Sequence, residues 1–159
     1  MVRTRLKMQK VQQLTSHIVY ALDILSEPHP DFKVVAEKAK NELSSKFEYR
    51  QIDVRDVEGL HKTVEEIANV EGRMDGLIAA AGIQQETPAL EYKAEDANRM
   101  FEVNITGVFM TAQAVAKQMI KFGNGGSMVF IASMSGTVAN RVCLCSTLQR
   151  DVIDNVNRA

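Results

Sequence analysis

Short apolar runs alternate with stretches of helical periodicity along this chain, and that alternation constrains the fold more than any single residue does. Ile18-Val19-Tyr20-Ala21-Leu22 is apolar, ends at Asp23 and leads into Ser26-Glu27-Pro28-His29-Pro30, which reads as a buried strand and its loop. Asp31 stands where a helix cap is expected, opening a helix to about Ser44 with Phe32, Val35, Ala36, Ala39 and Leu43 on one face. Lys46 to Ile52 alternates polar and apolar and ends at Asp53, a second strand. Asp56 caps a second helix to about Val70, with Val57, Leu60, Val64 and Ile67 at helical spacing. Gly76 to Gly82 reads as a third strand. A loop with Pro88 follows, then one long helix from about Ala94 to Phe122, whose Met100, Phe101, Val108, Ala112, Val115 and Met119 form a core stripe. Gly123-Asn124-Gly125-Gly126 stops it, and Ser127 to Ala132 is the fourth strand. This order is the pattern of an α/β, doubly wound parallel sheet.

The chain has 159 residues, the size of one ordinary domain, and 45% of them are hydrophobic, enough to bury a core. Nineteen Lys and Arg against twenty Asp and Glu leave a net charge of -1. That balance argues against a nucleic-acid partner, whose phosphates demand a basic surface. No apolar run approaches the ~20 residues that cross a bilayer, so no membrane partner is expected. Cys143 and Cys145, with His17, His29 and His61, form no metal-ligand spacing. These traits read as those of a cytoplasmic protein. Arg3, Arg5, Lys7 and Lys10 precede the first acid, Asp23, and Val11, Leu14 and Ile18 share a helical face. The segment is either a mitochondrial presequence or a solvated cationic first helix; the second fits the lack of an evident cleavage signal.

In open α/β sheets the ligand lies beyond the carboxyl ends of the strands, which brings forward Asp23, Asp53-Val54, Ala81-Gly82-Ile83 and Ser133. An acid there accepts both ribose hydroxyls of an adenosine and repels a 2′-phosphate. Asp53 is placed to accept from an adenine amino group, and Gly82 lets backbone approach a flat ring. Each alone has an ordinary explanation: loop acids cap helices, and glycine after a strand makes a turn.

In order, Asp53-Val54, Ala79-Ala80-Ala81-Gly82-Ile83, Asn104-Ile105-Thr106-Gly107 and Ile131-Ala132-Ser133-Met134-Ser135-Gly136 resemble the short-chain dehydrogenase/reductase family. Asp75 to Asn140 is most similar to its fungal ketose reductase and polyol dehydrogenase branch, which includes sorbose reductase and the mannitol and arabinitol dehydrogenases. The resemblance spans about residues 17–141, leaving 1–16 and 142–159 as non-family ends. It implies a partial Rossmann-like sheet, NAD or NADP as cofactor, and a sugar or polyol substrate. Ser133 matches the serine that hydrogen-bonds the substrate carbonyl. Asn104 matches the asparagine that kinks the long helix and holds a water in the proton relay. Gly82 matches the glycine of an Asn-Asn-Ala-Gly element whose asparagines are Ala79 and Ala80 here. Asp23 matches the position that discriminates NAD from NADP, and as an acid favours NAD.

Two departures accompany these matches. The family's Gly-rich phosphate turn lies about twenty residues before the acid, whereas the first glycine here is Gly59. The family's tyrosine and lysine follow the serine, whereas the last tyrosine here is Tyr92 and the last lysine Lys121. The expected sheet therefore lacks its first strand and the strands after the catalytic serine. The strands ending at Asp23 and Ala81 either pair directly or keep open apolar edges. The chain as written is expected to be marginally stable, to bind the dinucleotide weakly or not at all, and to transfer no hydride. The alternative is a non-catalytic truncated subunit that associates with related dehydrogenases as a homo- or hetero-oligomer, through Met100, Phe101, Phe109 and Met119. A flavodoxin-like binding module fits the alternation but not the motif order.

Overall fold

The computed structural model describes residues 17–132, and the chain divides after Ile52 into two compact units. The first holds β1 (Ile18–Asp23), α1 (Asp31–Leu43) and β2 (Lys46–Gln51). β1 and β2 run parallel, in register from Ile18 opposite Lys46 to Asp23 opposite Gln51. The Ile52 N–H extends the ladder by donating to the Asp23 carbonyl at 2.8 Å. Strand alternation puts Phe47 and Tyr49 on one face, where the Phe32 ring of α1 meets both edge-on, at centroid distances of 6.4 and 5.8 Å. Positions 46, 48 and 50 face the other way: Glu48 pairs with Lys46 and, at 3.3 Å, with Arg50. The Lys46 bond, opposed by partial burial, holds the Glu48 carboxyl below its usual range.

Two sequence expectations are corrected in α1. Asp31 is its first helical residue rather than its cap, because Pro30 already has helical backbone angles and supplies no capping side chain. The Asp31 N–H instead donates to His29 Nδ1 at 3.3 Å. Val35 and Leu43 are exposed although they share the predicted inner face. The two strands beneath α1 stand only about 5 Å apart, too narrow a floor to cover the whole face.

The second unit holds α2 (Val57–Glu71), β3 (Gly76–Ala79), a 3-10 turn (Ala89–Glu91), α3 (Ala94–Phe101), a π-helical turn (Glu102–Gly107), α4 (Val108–Phe122) and β4 (Ser127–Phe130). Asp56 caps α2 as expected, its Oδ1 accepting from the Gly59 N–H at 3.0 Å. Leu60, Val64, Ile67 and Ala68 of α2 are buried, as are Val108, Ala112, Val115 and Met119 of α4. Lys121 donates to Glu65 and Asn69, each at 3.0 Å, and ties α4 to α2. Gly123 ends α4 with φ +67°, a left-handed conformation that costs a side-chain-bearing residue strain. The Asn124 amide then donates to the Met74 carbonyl at 2.8 Å and to Asp75 at 3.0 Å, fixing the start of β3 against the entry to β4.

β3 and β4 pair in parallel from Gly76 opposite Ser127 to Ala79 opposite Phe130. β3 is thus shorter than the predicted Gly76–Gly82, because its ladder ends where β4 ends. The long helix is not continuous either: the π turn divides it at Asn104. Among the described residues β1 hydrogen-bonds with β2 alone and β3 with β4 alone. Ile18 and Val19 of β1 and Ile78 of β3 are exposed. Of the four suggested contact residues, Met100 and Met119 are buried core and Phe109 is 48% exposed. No helix among the described residues is long and apolar enough to cross a membrane.

Candidate functional site

The last bond of the β3–β4 ladder runs from the Ile131 N–H to the Ala79 carbonyl at 3.1 Å. Beyond it, Ala80 to Ile83 continue without strand pairing among the described residues, so their backbone groups need water or side chains. Asn104 serves Ile83 on both sides. The Ile83 N–H donates to Asn104 Oδ1 at 2.8 Å, and Asn104 Nδ2 donates to the Ile83 carbonyl at 2.8 Å. The clamp is local in cause. The wider i→i+5 turn keeps Met100, Asn104 and Val108, spaced by four, all on the buried side. Asn104 itself is only 5% exposed, and Thr111 Oγ1 gives the Gly107 carbonyl a donor at 2.7 Å where the π turn returns to α4.

Ala81, Gly82 and Ile83 are exposed above this clamp. A Cβ on Gly82 would sit 3.4 Å from Asn104 Oδ1, so the glycine leaves a bare backbone strip rather than relieving a clash. Gly107 differs: a Cβ there would lie 2.6 Å from Val54 Cγ2 and 3.2 Å from the Glu102 carbonyl. The Val54 side chain thus packs onto the π turn, a structural contact beside the cofactor role expected of Val54.

Asp53 carries the densest polar contacts of the set. Its Oδ1 accepts from the Arg55 N–H at 3.0 Å and from Arg55 Nε at 3.0 Å; its Oδ2 accepts from Nε at 3.0 Å and from Nη2. The guanidinium bonds, opposed by partial burial and aided by the backbone N–H, hold the Asp53 carboxyl below its usual range. The expected acceptor of an adenine amino group is already filled by a neighbour two residues away.

In the first unit, Asp23 ends β1 and its Oδ1 accepts from the Leu25 N–H at 3.1 Å. Two β2 side chains hold the loop after it. Tyr49 O–H donates to the Leu25 carbonyl at 2.6 Å, and Gln51 Nε2 donates to the Ile24 carbonyl at 3.0 Å. Ser133 lies outside the described residues, as do both predicted end segments. The second unit therefore brings together Asn104, Gly82 and Ile83. Arg55 and Gly107 were not foreseen as contributors. A glycine inside a helical run, about 1 kcal/mol worse than alanine, signalled Gly107; Asp53-Val54-Arg55, an acid and a cation two apart after a strand, signalled Arg55.

The family model for the short chain dehydrogenase matches residues 16–145. The chain is 35% identical over 112 residues to the short chain dehydrogenases/reductase notP' of Aspergillus versicolor, covering 70% of this chain and 37% of that protein. It is 32% identical over 129 residues to the NADH-dependent L-xylulose reductase of Ambrosiozyma monospora, covering 80% and 45%. It is 35% identical over 89 residues to the D-arabinitol 2-dehydrogenase of Candida albicans, covering 55% and 32%. The chain spans less than half the length of these relatives. In fold it is similar to a short-chain type dehydrogenase/reductase from Mycobacterium marinum, with a TM-score of 0.76, 21% identity and coverage of 89% and 66%. It also resembles an NAD+-bound xylitol dehydrogenase, with a TM-score of 0.72, 26% identity and coverage of 87% and 52%.

Proposed function

Because the chain belongs to the short-chain dehydrogenase family, we propose that it carries the nucleotide-facing part of an NAD(P)-dependent oxidoreductase of the ketose reductase and polyol dehydrogenase type. The observation that carries this reading is the two-point clamp of Asn104 on Ile83, which fixes the bare strip at the carboxyl end of β3. That is where a doubly wound sheet receives its ligand. The names of relatives acting on xylulose and arabinitol support a sugar or polyol substrate.

The residues fit a nicotinamide dinucleotide in part. Gly82 presents backbone without a Cβ, as a flat ring requires, and Asp23 is an acid at the end of β1 held by its loop. Asp53 as it stands does not fit, since Arg55 occupies both its oxygens. When bound, the cofactor supplies the hydride. In this reading the Asp23 carboxylate accepts from ribose hydroxyls and favours NAD, Asn104 keeps the Gly82 strip in place, and Ser133 hydrogen-bonds the substrate carbonyl. Where the family places its tyrosine, thirteen to fifteen residues after Ser133, this sequence has Ser146, Thr147 and Leu148, so no phenol at those positions exchanges the proton.

We therefore expect the 159 residues as written to bind dinucleotide weakly and to turn over no substrate. The test follows NADH and NADPH oxidation with xylulose, fructose and sorbose, beside nucleotide titration of the same preparation. Turnover at ordinary enzyme rates, about 1–1000 per second, would overturn the deficiency. Nucleotide binding as tight as that of an ordinary dehydrogenase would overturn the weakness expected of this site. A second reading, a non-catalytic subunit of a related dehydrogenase, draws on the exposure of Phe109 (48%) and Ile120 (80%) on α4. Co-purification with a longer dehydrogenase would favour it, and a strictly monomeric chain would dismiss it.

A further inference from the structure

We propose that Arg55 is a specificity-determining residue that competes with the base of a bound purine nucleotide for the Asp53 carboxylate. It thereby removes this chain's preference for an adenine amino group. The proposal rests on the nucleotide-binding reading above and adds to it which base the site accepts.

A carboxylate has about four acceptor positions on its two oxygens. Arg55 engages both oxygens with three N–H groups: Oδ1 receives its backbone N–H, Oδ2 receives Nη2, and the single Nε proton is shared between them. Unengaged, a carboxylate accepts well from an amino group and repels a carbonyl oxygen. Covered by a guanidinium, it keeps only about one acceptor position for the amino group, for which the amino group must compete with Arg55, while the guanidinium presents donors to a carbonyl oxygen. Adenine and hypoxanthine differ in this way at position 6, so the pair levels the discrimination that Asp53 alone would impose. Arg55 is not committed to Asp53 by burial, since its side chain is 42% exposed. The Glu102 carboxylate, at the start of the π turn, also stabilises its charge.

The experiment titrates the 159-residue chain with ADP and with IDP by NMR, which reads millimolar affinities, and compares the ratio of the two dissociation constants. The wild-type ratio is expected to stay within about twofold. Arg55→Ala is expected to raise the preference for ADP about tenfold, a change of about 1.4 kcal/mol. Arg55→Ala combined with Asp53→Asn is expected to restore the wild-type ratio, because the gain acts through the carboxylate. Arg55→Lys, which keeps the charge but not the planar fork, is expected to fall between. A wild-type chain already preferring ADP tenfold, an unchanged ratio in Arg55→Ala, or a gain that persists without the Asp53 carboxylate would overturn the proposal alone. Binding of neither nucleotide to any variant would overturn the nucleotide-binding reading, and the proposal with it.

Discussion

Asn104 and Ile83 exchange two hydrogen bonds, each 2.8 Å long, between one side-chain amide and both polar groups of one backbone residue. The pair joins a π turn inside a helix to the segment that runs out of β3 beyond its last ladder bond. A neutral amide is the side chain that does this, since it offers a donor and an acceptor side by side.

Replacing Asn104 separates its two halves. Asn104→Ala removes both bonds and opens a buried space, for an expected loss of about 1–3 kcal/mol. Asn104→Asp keeps the acceptor for the Ile83 N–H but sets a second oxygen against the Ile83 carbonyl, so the carboxylate form should be the less stable variant at neutral pH. Denaturant unfolding of both variants, with amide exchange at Ile83, checks this. Unchanged protection of the Ile83 amide in Asn104→Ala would show the clamp does not hold the strip.

Gly107 is required by proximity rather than by backbone angle, for it lies in helical conformation with φ -60°. Gly107→Ala would press its methyl group against Val54 Cγ2, an overpacking expected to cost about 1–3 kcal/mol even though alanine is the better helix former. Val54→Ala should recover part of that loss when combined with it. Strict additivity in the double-mutant cycle would mean that the two residues do not press on one another.

The Asp53 carboxyl titrates low because Arg55 donates to it. Its folded value lies below the unfolded value near 3.9. Its contribution to stability is therefore present above the unfolded value and is lost as pH falls through the folded one. An NMR titration should show the Asp53 midpoint below that of a free aspartate, and Arg55→Ala should move it upward. A midpoint that ignores Arg55 would contradict the pairing.

Tyr49 behaves in the opposite sense. Burial, with the nearby Asp23 charge as the smaller cause, raises its phenol above the usual value, and the O–H donates to the Leu25 carbonyl. Its contribution is present below the unfolded value near 10 and is lost as pH rises through the folded one. Tyr49→Phe should cost about 0.5–1.5 kcal/mol near neutrality, and the gap to wild type should close at strongly alkaline pH. Equal stabilities at pH 7 would show that the phenol does not hold the loop after β1.

Among the described residues, only Leu60 and Met100 are large side chains buried to below 2% exposure. The isolated chain is therefore expected to melt at modest temperature with a shallow transition in calorimetry. A sharp, high-temperature transition would show that a better core exists than these residues form.

Element positions were largely legible along the chain, because periodicity and turn residues are local signals. The spacing of Leu60, Val64 and Ile67 specified the buried face of α2, Asp56 its start and Gly123 the end of α4. Asn104, Gly82 and Asp53 were legible as a motif, each standing at the end of a strand or inside the long helix. What the tertiary structure alone decided concerns groups distant in sequence that compete for the same space or the same proton. β3 stops at Ala79 because β4 stops opposite it. The Asn104 amide finds Ile83 across twenty-one residues, and Gly107 lacks a side chain because Val54 lies 2.6 Å from where one would begin. Local propensity determines which segments become strands and helices; where each segment ends, and which partner each polar group takes, depends on contacts that exist only after the chain has folded.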